Sequence, residues 1–460
     1  MPRPKDSGSA LLRQQAAELV YEVMEKSAYT NLLLEKRMRK SKMISADRRL
    51  LTEIVNGTVR MVKHLDWVLN RFLKGDVTAQ NPWLRTILRI SSYQILFMNR
   101  VPDYAVVNDA VEIAGRKCGP GLSRVANGVL RNLLRQQASL SFPEEESEYL
   151  AVCWSHPSWI VELLQVHYGA EACRQILTFN NQAPPLVLRC NNLLTSAGEL
   201  LEELQTEGVI CCISPLIPSN LRVVRAEVSL VETKAFQSGH FYIQNEASTL
   251  AAAILQPQKG QLVYDLCSGV GGKSTHLAEI MNNIGEVRSF DLFEQKLALL
   301  EANCRRMGVK IVKTRPADIT ELKPDLDPGQ AVLLDAPCSG LGVLARRADA
   351  RWRKKPQDLE VLQALQASML EQAASLVGAD GRLLYSTCTI NPGENQEVIE
   401  AFLRQHPEYV LEGFEASLSS WHLTPDDEEA ARQGMLCLLP GKYDSDGMFY
   451  ALMRKKDRVV

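Results

Sequence analysis

The spacing of apolar residues predicts helices over the first part of this 460-residue chain. Within residues 9–137, apolar side chains recur at helical spacing, as at Ala16, Leu19 and Val20, with few alternating β-branched runs. Proline-containing breaks each end one helix and begin the next. These breaks are Asn81-Pro82, Val101-Pro102-Asp103 and Gly119-Pro120-Gly121. This part is therefore predicted to be an all-α bundle.

A different pattern follows an acidic run, FPEEESEY at residues 142–149, which we interpret as a linker. Residues 150–235 mix helical segments with short β-type runs, at residues 186–189 and 221–224. A small α+β domain is the simplest interpretation of this mixture.

Strands alternate with helices in the last part of the chain, from about residue 239 onward. Candidate strands lie at residues 262–267, 286–291, 310–313, 331–335 and 382–386, with long helical stretches between most of them, including 356–377. This alternation predicts a parallel sheet with helices on both faces. Runs at residues 435–439 and 448–453 flank a Gly/Asp turn and predict an antiparallel edge hairpin. We expect a multidomain chain: an all-α bundle, a small α+β domain, and a Rossmann-like α/β domain with the edge hairpin.

Charge is divided unevenly along the chain. Residues 1–140 carry 23 Lys+Arg against 12 Asp+Glu, a charge of +11, and the remainder carries 29 against 42, a charge of −13. A basic front module favours contact with a polyanion such as RNA, and a solvated helical surface is the alternative. The 11 cysteines lack paired metal spacing, so we expect a reducing cytosol and no metal site. No signal peptide or membrane span is predicted, which indicates a cytoplasmic protein without a membrane partner.

A glycine-rich segment, DLCSGVGGKS at residues 265–274, follows a predicted strand and begins a helix. Its glycines allow close backbone approach to a ligand, and the helix N-terminus offers amide groups. Gly269 and Gly272 are too close together for the phosphate loop of ATPases. Asp291 ends the next strand, where a carboxylate can accept both hydroxyls of a ribose, and Asp318 lies where it could meet an adenine amine.

Two cysteines and an aspartate follow later strands, in DAPCSGLG at residues 335–342 and YSTCTINPGEN at residues 385–395. Asp335, Cys338 and Cys388 would all project from the carboxyl edge of one sheet toward one cleft. A single buried cysteine is most often a small apolar residue. Pro337 and Thr387 place each thiol in a tight turn near the glycine-rich loop, and this setting favours a chemical role.

In this order, these segments resemble the motifs of RNA cytosine-5 methyltransferases, whose nucleophile is the cysteine of a T-C-[ST] motif. FQSGHFYIQNEAST at residues 236–249 is similar to the segment before that family's first strand, and SDGMFYALMRK at 445–455 to its closing hairpin. Residues 9–137 resemble a NusB-type domain, in GTVR at 57–60 and AVVNDAV at 105–111. The fusion is typical of the bacterial small-subunit ribosomal RNA methyltransferase B branch.

The resemblance implies an RNA (cytosine-5-)-methyltransferase that uses S-adenosylmethionine. The implied domains are a NusB-like RNA-binding domain (1–141), an RNA-binding or linking domain (150–235) and a catalytic domain (236–460). The implied cofactor contacts are Cys267, Ser268, Gly269, Val270, Gly271, Gly272, Lys273, Asp291, Asp318 and Asp335. The implied substrate is 16S ribosomal RNA, alone or in a partly assembled small subunit, and we expect a monomer.

The same resemblance assigns catalytic roles. Cys388 would attack carbon 6 of cytosine as a thiolate, so that carbon 5 can take the methyl group. Asp335, protonated or sharing a proton with the base, would bond nitrogen 3 and the exocyclic amine. Cys338 would assist release of the adduct, and Lys273 would orient Asp335 or contact RNA. Candidate phosphate contacts are Arg37, Arg39, Lys40, Lys42, Arg48 and Arg49.

The chain departs from the family pattern in the glycine-rich loop, where Cys-Ala-Ala-Pro-Gly-Gly-Lys is usual and CSGVGGK stands at residues 267–273. Loss of the proline makes the loop itself less preorganised. Asn245 replaces an acid, and Met448 replaces an aromatic residue. Two other functions stay open: methylation of another acceptor, such as transfer RNA or protein glutamine, and a non-catalytic RNA-binding role in ribosome assembly. The two thiols argue against glutamine, which needs no thiol adduct.

Overall fold

The computed structural model describes residues 7–40, 43–99, 101–322 and 326–456. Its helices are α1 (Ser7–Glu25), α2 (Thr30–Lys40), α3 (Ser45–Arg60), α4 (Val62–Leu69), α5 (Pro82–Phe97), α6 (Asp103–Cys118), α7 (Pro120–Gln136), α8 (Glu146–Cys153), α9 (Ser158–Asn180), α10 (Ala197–Thr206), α11 (Lys234–Gln237), α12 (Glu246–Leu255), α13 (Gly272–Ile280), α14 (Glu294–Met307), α15 (Ala350–Arg353), α16 (Pro356–Ser375), α17 (Gln396–Gln405) and α18 (Pro425–Arg432). Within these described ranges, no helix has the length and apolar character needed to cross a membrane.

The described strands are β1 (Val187–Cys190), β2 (Val209–Ile213), β3 (Asn220–Ala226), β4 (Phe241–Ile243), β5 (Leu262–Asp265), β6 (Glu286–Asp291), β7 (Val312–Pro316), β8 (Gly329–Asp335), β9 (Val377–Thr387), β10 (Tyr409–Leu411), β11 (Met435–Leu438) and β12 (Met448–Lys455). The chain divides into two compact units. The first comprises the described residues up to Asn181 together with Leu344–Arg353, and the second comprises Gln182–Val343 and the described residues from Lys354 onward.

Helices of the first unit begin where the sequence predicted breaks. Pro82 is the first residue of α5, and the Asn81 side chain accepts hydrogen bonds from two amides of the first turn at 3.0 and 3.3 Å. α6 begins at Asp103 and α7 at Pro120. Proline suits a first helical position because its fixed φ is helical and its missing N–H would have no partner within the helix. The predicted all-α bundle is confirmed.

The segment Leu344–Arg353 packs into this helical unit, although it is distant in sequence. Ala348 is buried in the core cluster that gathers the apolar stripes of α1 to α7. The indole N–H of Trp352 donates to the carbonyl of Val59 on α3 at 2.7 Å. The first unit is therefore discontinuous, and a late piece of the chain completes its core.

The acidic run that was predicted to be a linker contains the start of α8. The side chain of Glu145 accepts hydrogen bonds from the amides of Ser147 and Glu148, at 2.9 and 2.6 Å. Negative charge is favourable at a helix N-terminus because it meets the positive end of the macrodipole. The acidic residues that suggested a solvated linker therefore stabilise the first turn of α8.

The second unit contains a small sheet in the order β2-β3-β1-β4, with antiparallel neighbours. The predicted β-type runs at residues 186–189 and 221–224 fall on β1 and β3. Apolar residues of α10 and of the strands form one core, which includes Leu200, Val209 and Phe241. The α+β character predicted for this part of the chain is confirmed.

A larger, eight-stranded sheet has the order β10-β12-β9-β8-β5-β6-β7, with β11 paired to β12. The strands β7, β6, β5, β8 and β9 are parallel to their neighbours, as the alternating pattern predicted. β7 begins two residues later than predicted and extends to Pro316, because its register with β6 runs from Val312 to Pro316. The β11–β12 hairpin is antiparallel, and β12 also pairs with β9 and β10.

Arg351 provides a test of the discontinuous unit. Its buried guanidinium donates to the carbonyls of Ser155 and Asn180 at 3.0 and 2.9 Å and to Oδ1 of Asn181 at 2.9 Å. Arg351→Met leaves these acceptors without their donor, so we expect the free energy of unfolding to fall by about 3 kcal/mol in urea titrations followed by tryptophan fluorescence. The exposed neighbour Arg347→Met is the control, with an expected change below about 0.5 kcal/mol. Equal losses in both variants would contradict the assignment.

Candidate active site

The predicted functional groups follow one another along the carboxyl edge of the large sheet. In the sheet order β7, β6, β5, β8, β9, Asp318 lies after the first strand and Asp291 ends the second. The glycine-rich loop follows β5, Asp335 ends β8, and Cys388 follows β9. From β5 the chain continues to β6 and β7 on one side, and it then returns to β8 and β9 on the other side of β5. Open α/β sheets bind ligands at such a switch point. With strands about 4.8 Å apart, the row spans roughly 19 Å.

The glycine-rich loop is tied to the end of β6. The amide and hydroxyl of Ser268 donate to the carbonyl of Phe290 at 2.8 and 3.0 Å. The amide of Gly269 donates to Oδ2 of Asp291 at 3.0 Å. Gly271 has φ +93°, and a Cβ there would lie 2.6 Å from a leucine side chain of α14, so only glycine fits.

Two carboxylates, those of Asp291 and Asp318, lie at the end of β6 and just after β7 on this edge of the sheet. Asp291 is buried, and it also accepts hydrogen bonds from the amide of Phe293 at 2.9 Å and from Lys296 at 3.3 Å. A carboxylate has about four acceptor sites, so these three hydrogen bonds leave about one for a ribose hydroxyl. Asp318 is exposed, and the hydroxyl and amide of Thr320 donate to its Oδ1 at 2.7 and 2.9 Å. These bonds hold the pKa of Asp318 below its usual value.

Asp335 lies between a lysine and a serine. Lys273, at the start of α13, places its Nζ 2.5 Å from Oδ2 of Asp335, and the lysine side chain is only 11% exposed. The hydroxyl of Ser386 donates to Oδ1 at 2.9 Å. The lysine of the loop therefore contacts Asp335, and both oxygens of this carboxylate are oriented by partners from neighbouring strand ends.

The two cysteines lie in contact, with 3.4 Å between their Sγ atoms. The hydrogen bond to Cys388 and burial raise the pKa of Cys338 well above its ordinary value. Cys338 is therefore a thiol at neutral pH and can donate its proton toward the sulfur of Cys388. In this pair, negative charge is better placed on Cys388, where the neighbouring S–H can stabilise it.

A buried carboxylate, Glu394, holds the two cysteine loops together. Its Oε2 accepts from the amide of Ser339 at 2.8 Å and from Gln366 at 3.0 Å, and its Oε1 accepts from the hydroxyl of Ser339 at 2.5 Å and from Asn391 at 3.2 Å. Ser339 and Thr389, which directly follow the two cysteines, share a hydrogen bond of 2.7 Å. The spacing of the thiols thus depends on a network of fully buried polar groups.

The backbone of Cys388 is fixed by a close crossing of loops. Its carbonyl accepts from the amide of Gly342 at 3.0 Å, and the carbonyl of Gly342 accepts from the amide of Gly447 at 2.7 Å. A Cβ at Gly342 would lie 2.3 Å from the carbonyl oxygen of Gly447. The absence of a side chain at Gly342 allows this crossing.

The residues around the loop fit a nucleoside cofactor. A Cβ added at Gly269 would meet no protein atom within 4 Å, so the loop faces open room that a ligand can fill. The donors are main-chain amides, and the acceptor set is the carboxylate row, which matches the hydroxyls and amine of an adenosine. Asp335 and Lys273 lie toward the cysteine end, where the reacting group of the cofactor would meet the substrate.

The structure brings together most of the predicted site residues, and it adds partners that the sequence did not single out. Cys267 is half-buried before the loop, and burial raises its pKa, so it is a packed thiol there. The residues that sequence reasoning missed are Ser386, Glu394, Ser339, Thr389 and Arg189. Ser386 and Glu394 lie in the same motif as Cys388, and that proximity was the available signal.

The basic candidates of the first unit lie on two helices. Lys42 falls outside the residues that the structure describes. The others belong to α2 and α3: Arg37, Arg39, Lys40, Arg48 and Arg49. Arg49 is exposed, and Arg37 lies 3.6 Å from a carboxylate of Glu18.

Family models match three successive parts of the chain. Residues 11–135 match the NusB family, and residues 156–229 match the ferredoxin-like domain of RsmF/B-like methyltransferases. Residues 252–454 match the family described as 16S rRNA methyltransferase RsmB/F. The fold and the site therefore define a Rossmann-like methyltransferase, and its cofactor is S-adenosylmethionine.

Relatives that match over almost the whole chain show which family within this class the protein belongs to. The chain is 35% identical to the probable ribosomal RNA small subunit methyltransferase B of Bacillus subtilis (strain 168), over 97% of this chain and 99% of that protein. It is 31% identical to ribosomal RNA small subunit methyltransferase B of Klebsiella pneumoniae, over 97% of this chain and 98% of that protein. This chain belongs to the ribosomal RNA small subunit methyltransferase B family.

Solved structures share the fold. The crystal structure of PH0851 is 27% identical, with a TM-score of 0.82 over 96% of this chain and 98% of that chain. NSun6 from Pyrococcus horikoshii, solved with SFG, is 24% identical, with a TM-score of 0.58 over 65% of this chain and 98% of that chain. The fold of this chain is thus one that solved structures share.

Glu394→Gln tests the network between the cysteine loops. An amide cannot accept all the hydrogen bonds that the carboxylate accepts, so we expect the thiols to lose their alignment and kcat for methyl transfer to fall roughly tenfold or more. The Kd for S-adenosylmethionine, measured by calorimetry, should stay within about twofold, because Glu394 lies away from the loop. The exposed Glu400→Gln in α17 is the control. An unchanged kcat in Glu394→Gln would rule out the positioning role.

Proposed function

We propose that this protein methylates carbon 5 of a cytosine in 16S ribosomal RNA through a covalent adduct with Cys388. The observation that carries the proposal is the pair of contacting thiols, 3.4 Å apart, at the same sheet edge as Asp335 and the cofactor loop. Methylation of an amine or of the amide nitrogen of glutamine needs no such pair. The choice of 16S ribosomal RNA is supported by the names of the full-length relatives.

Cys388 is the nucleophile in this mechanism. Carbon 5 of cytosine belongs to an aromatic ring and reacts poorly with an electrophile until a nucleophile adds to carbon 6. The thiolate of Cys388 forms a bond to carbon 6, and the electron pair of the carbon 5–carbon 6 double bond becomes available at carbon 5. Cys338 supports the thiolate beforehand by donating its S–H, since its raised pKa keeps it protonated.

Asp335 and Lys273 hold the base during the addition. One oxygen of Asp335 accepts from the exocyclic amine, and nitrogen 3 takes up a proton as negative charge develops on the ring. Lys273, 2.5 Å from Asp335, is placed to supply that proton through the carboxyl group. Ser386 keeps the carboxyl plane fixed through its bond to Oδ1.

S-adenosylmethionine supplies an electrophilic methyl group on a sulfonium. The glycine-rich loop would contribute main-chain amides to its binding, Asp291 would accept from a ribose hydroxyl, and Asp318 would accept from the adenine amine. The exposed apolar side chains of Leu292 and Phe293, directly after Asp291, offer a surface for the purine ring. These residues would hold the cofactor along the sheet edge, and Asp335 lies between them and the two cysteines in the order of the strands.

Release of the product requires loss of the carbon 5 proton to solvent, return of the nitrogen 3 proton to Asp335, and cleavage of the carbon 6–sulfur bond. The electron pair of the broken C–H bond restores the double bond, and the pair of the C–S bond leaves on Cys388. Cys338 stabilises the departing thiolate by donating its S–H across the 3.4 Å contact. Removal of Cys338 therefore slows release more than addition.

The target cytosine must be unstacked to reach such a pocket, which favours an unpaired nucleotide. We propose that the basic first unit holds the surrounding phosphates through Arg37, Arg48 and Arg49 with their neighbours on α2 and α3. A purely non-catalytic role in ribosome assembly would not require two thiols in contact or the buried network of Glu394 that holds their loops together.

Transfer of labelled methyl from S-adenosylmethionine to unmodified 16S ribosomal RNA tests the two thiols. Wild type is expected to give labelled 5-methylcytosine, and Cys388→Ala neither product nor adduct. Cys338→Ala is expected to accumulate a covalent protein–RNA adduct, visible as a shifted band in denaturing gels, because release is slowed.

Cys437→Ala, which removes a half-buried thiol of β11, is the matched control and should behave as wild type. Retained methylation by Cys388→Ala would exclude the covalent mechanism. Methylation of transfer RNA but not of 16S ribosomal RNA would keep the chemistry and replace the substrate.

Reversal of charge at Arg37, Arg48 and Arg49 to Glu tests the phosphate contacts. Each lost contact with single-stranded RNA lowers the slope of log affinity against log salt by about 0.7, so the triple variant should lose about 2 from that slope. Filter binding across a salt series measures it. Reversal of the exposed Lys259, Arg305 and Lys310 in the acidic second unit is the control, and an equal change there would contradict a specific basic surface.

A further inference from the structure

The carbonyl of Val270, at the loop position where related sequences carry proline, is held by two side chains. The phenol of Tyr242 donates to it at 3.3 Å, and Nδ2 of Asn303 donates at 3.0 Å. Burial raises the pKa of Tyr242, so the phenol keeps the proton that it donates. A proline at this position would restrict the backbone through its own ring, whereas here hydrogen bonds from two neighbouring side chains hold the peptide in place.

The end of the same loop is held by a fully buried arginine. Arg189 of β1 donates to the carbonyl of Gly272, at the start of α13, at 2.5 Å. The same guanidinium bonds Gln244 at 2.6 Å, Thr275 at 2.9 Å and Glu279 at 2.7 Å. A buried ion pair by itself contributes little net stability. The hydrogen bond to Gly272 has a separate effect, because it fixes the position of a main-chain carbonyl in the cofactor loop.

Arg189 and Tyr242 are direct cross-strand partners. They face each other in the register of β1 and β4, and the guanidinium lies 5.3 Å from the centre of the phenol ring. Both side chains therefore reach the loop from one position of the small four-stranded sheet. Asn303 approaches from α14 on the other side. The three residues hold the carbonyl groups of Val270 and Gly272, the two residues on either side of Gly271.

We propose that Arg189, Tyr242 and Asn303 form a clamp that preorganises the S-adenosylmethionine loop and replaces the proline of related sequences. The small α+β domain is thereby part of the cofactor site. This inference rests on cofactor binding and is independent of which RNA is methylated.

The clamp makes a prediction that a merely structural role does not make. Removal of both donors to Val270, in Tyr242→Phe/Asn303→Ala, frees a loop peptide that must be ordered again when the cofactor binds. We expect the Kd for S-adenosylmethionine, measured by calorimetry on the full chain without RNA, to rise about tenfold. The KM for RNA should not change, because the clamp does not touch the cysteine end.

Val270→Pro is the variant that should restore cofactor affinity when the two donors to Val270 are absent. Among the described hydrogen bonds the amide of Val270 donates none, so Val270→Pro removes no donor that the fold uses. Val270→Pro in the double variant should recover most of the lost affinity, because the proline ring restricts the same peptide that the two side chains hold in the wild-type chain. Tyr409→Phe, which removes a buried phenol of β10 bonded to the carbonyl of Ala374, is the matched control for loss of a hydroxyl.

Arg189→Lys keeps the charge opposite Glu279 but cannot bond all four acceptors, and we expect a rise in the Kd without loss of folding by circular dichroism. If that variant does not fold, the Tyr242 and Asn303 variants decide the question. An unchanged Kd in the double variant, or a raised Kd that Val270→Pro does not restore, would overturn the clamp. Failure of RNA methylation with the affinity pattern intact would count against the proposed substrate and leave the clamp standing.

Discussion

The central constraint in this molecule is the pairing of β5 with β6 on one side and with β8 on the other. Because β6, β5, β8 and β9 run parallel in this part of the sheet, each of them ends at the same edge. The glycine-rich loop, Asp291, Asp335 and the cysteine motifs are therefore neighbours, and hydrogen bonds such as those of Gly269 with Asp291 and of Lys273 with Asp335 fix their spacing. A parallel sheet needs both faces covered, and the long helices between the strands provide this cover.

Polar groups buried beside that edge give the site its shape. Lys273 and Ser386 orient Asp335, and Glu394 joins the two cysteine loops. Such networks are costly when incomplete, because a buried group without a partner keeps its full desolvation penalty. The chain satisfies them largely with residues from the motifs that contain Asp335, Cys338 and Cys388, together with Gln366 from α16. The motifs therefore carry the candidate reacting groups and also most of the residues that support them.

The sequence was sufficient to predict the helical bundle, the α+β character of the middle part and the parallel strands, because periodicity and proline breaks act locally. It also identified the loop, the carboxylates and the thiols. It did not show the contacts of Arg189 with Gly272 or of Trp352 with Val59, since these join residues distant in sequence. The start of α8 was missed for another reason: acidic residues suit both a solvated linker and a helix N-terminus, and only the capping bonds of Glu145 distinguish them.

The placement of Leu344–Arg353 within the helical unit has an evolutionary consequence. A gene that encoded only the catalytic part would still encode Ala348, Arg351 and Trp352, but these side chains would have lost the helices against which they pack. A gene that encoded only the helical part would lack these residues of its own core. The two parts cannot be exchanged by simple recombination at one boundary. Their fusion is in this sense irreversible: once the insert had become part of the core, separation would have required compensating changes in both halves.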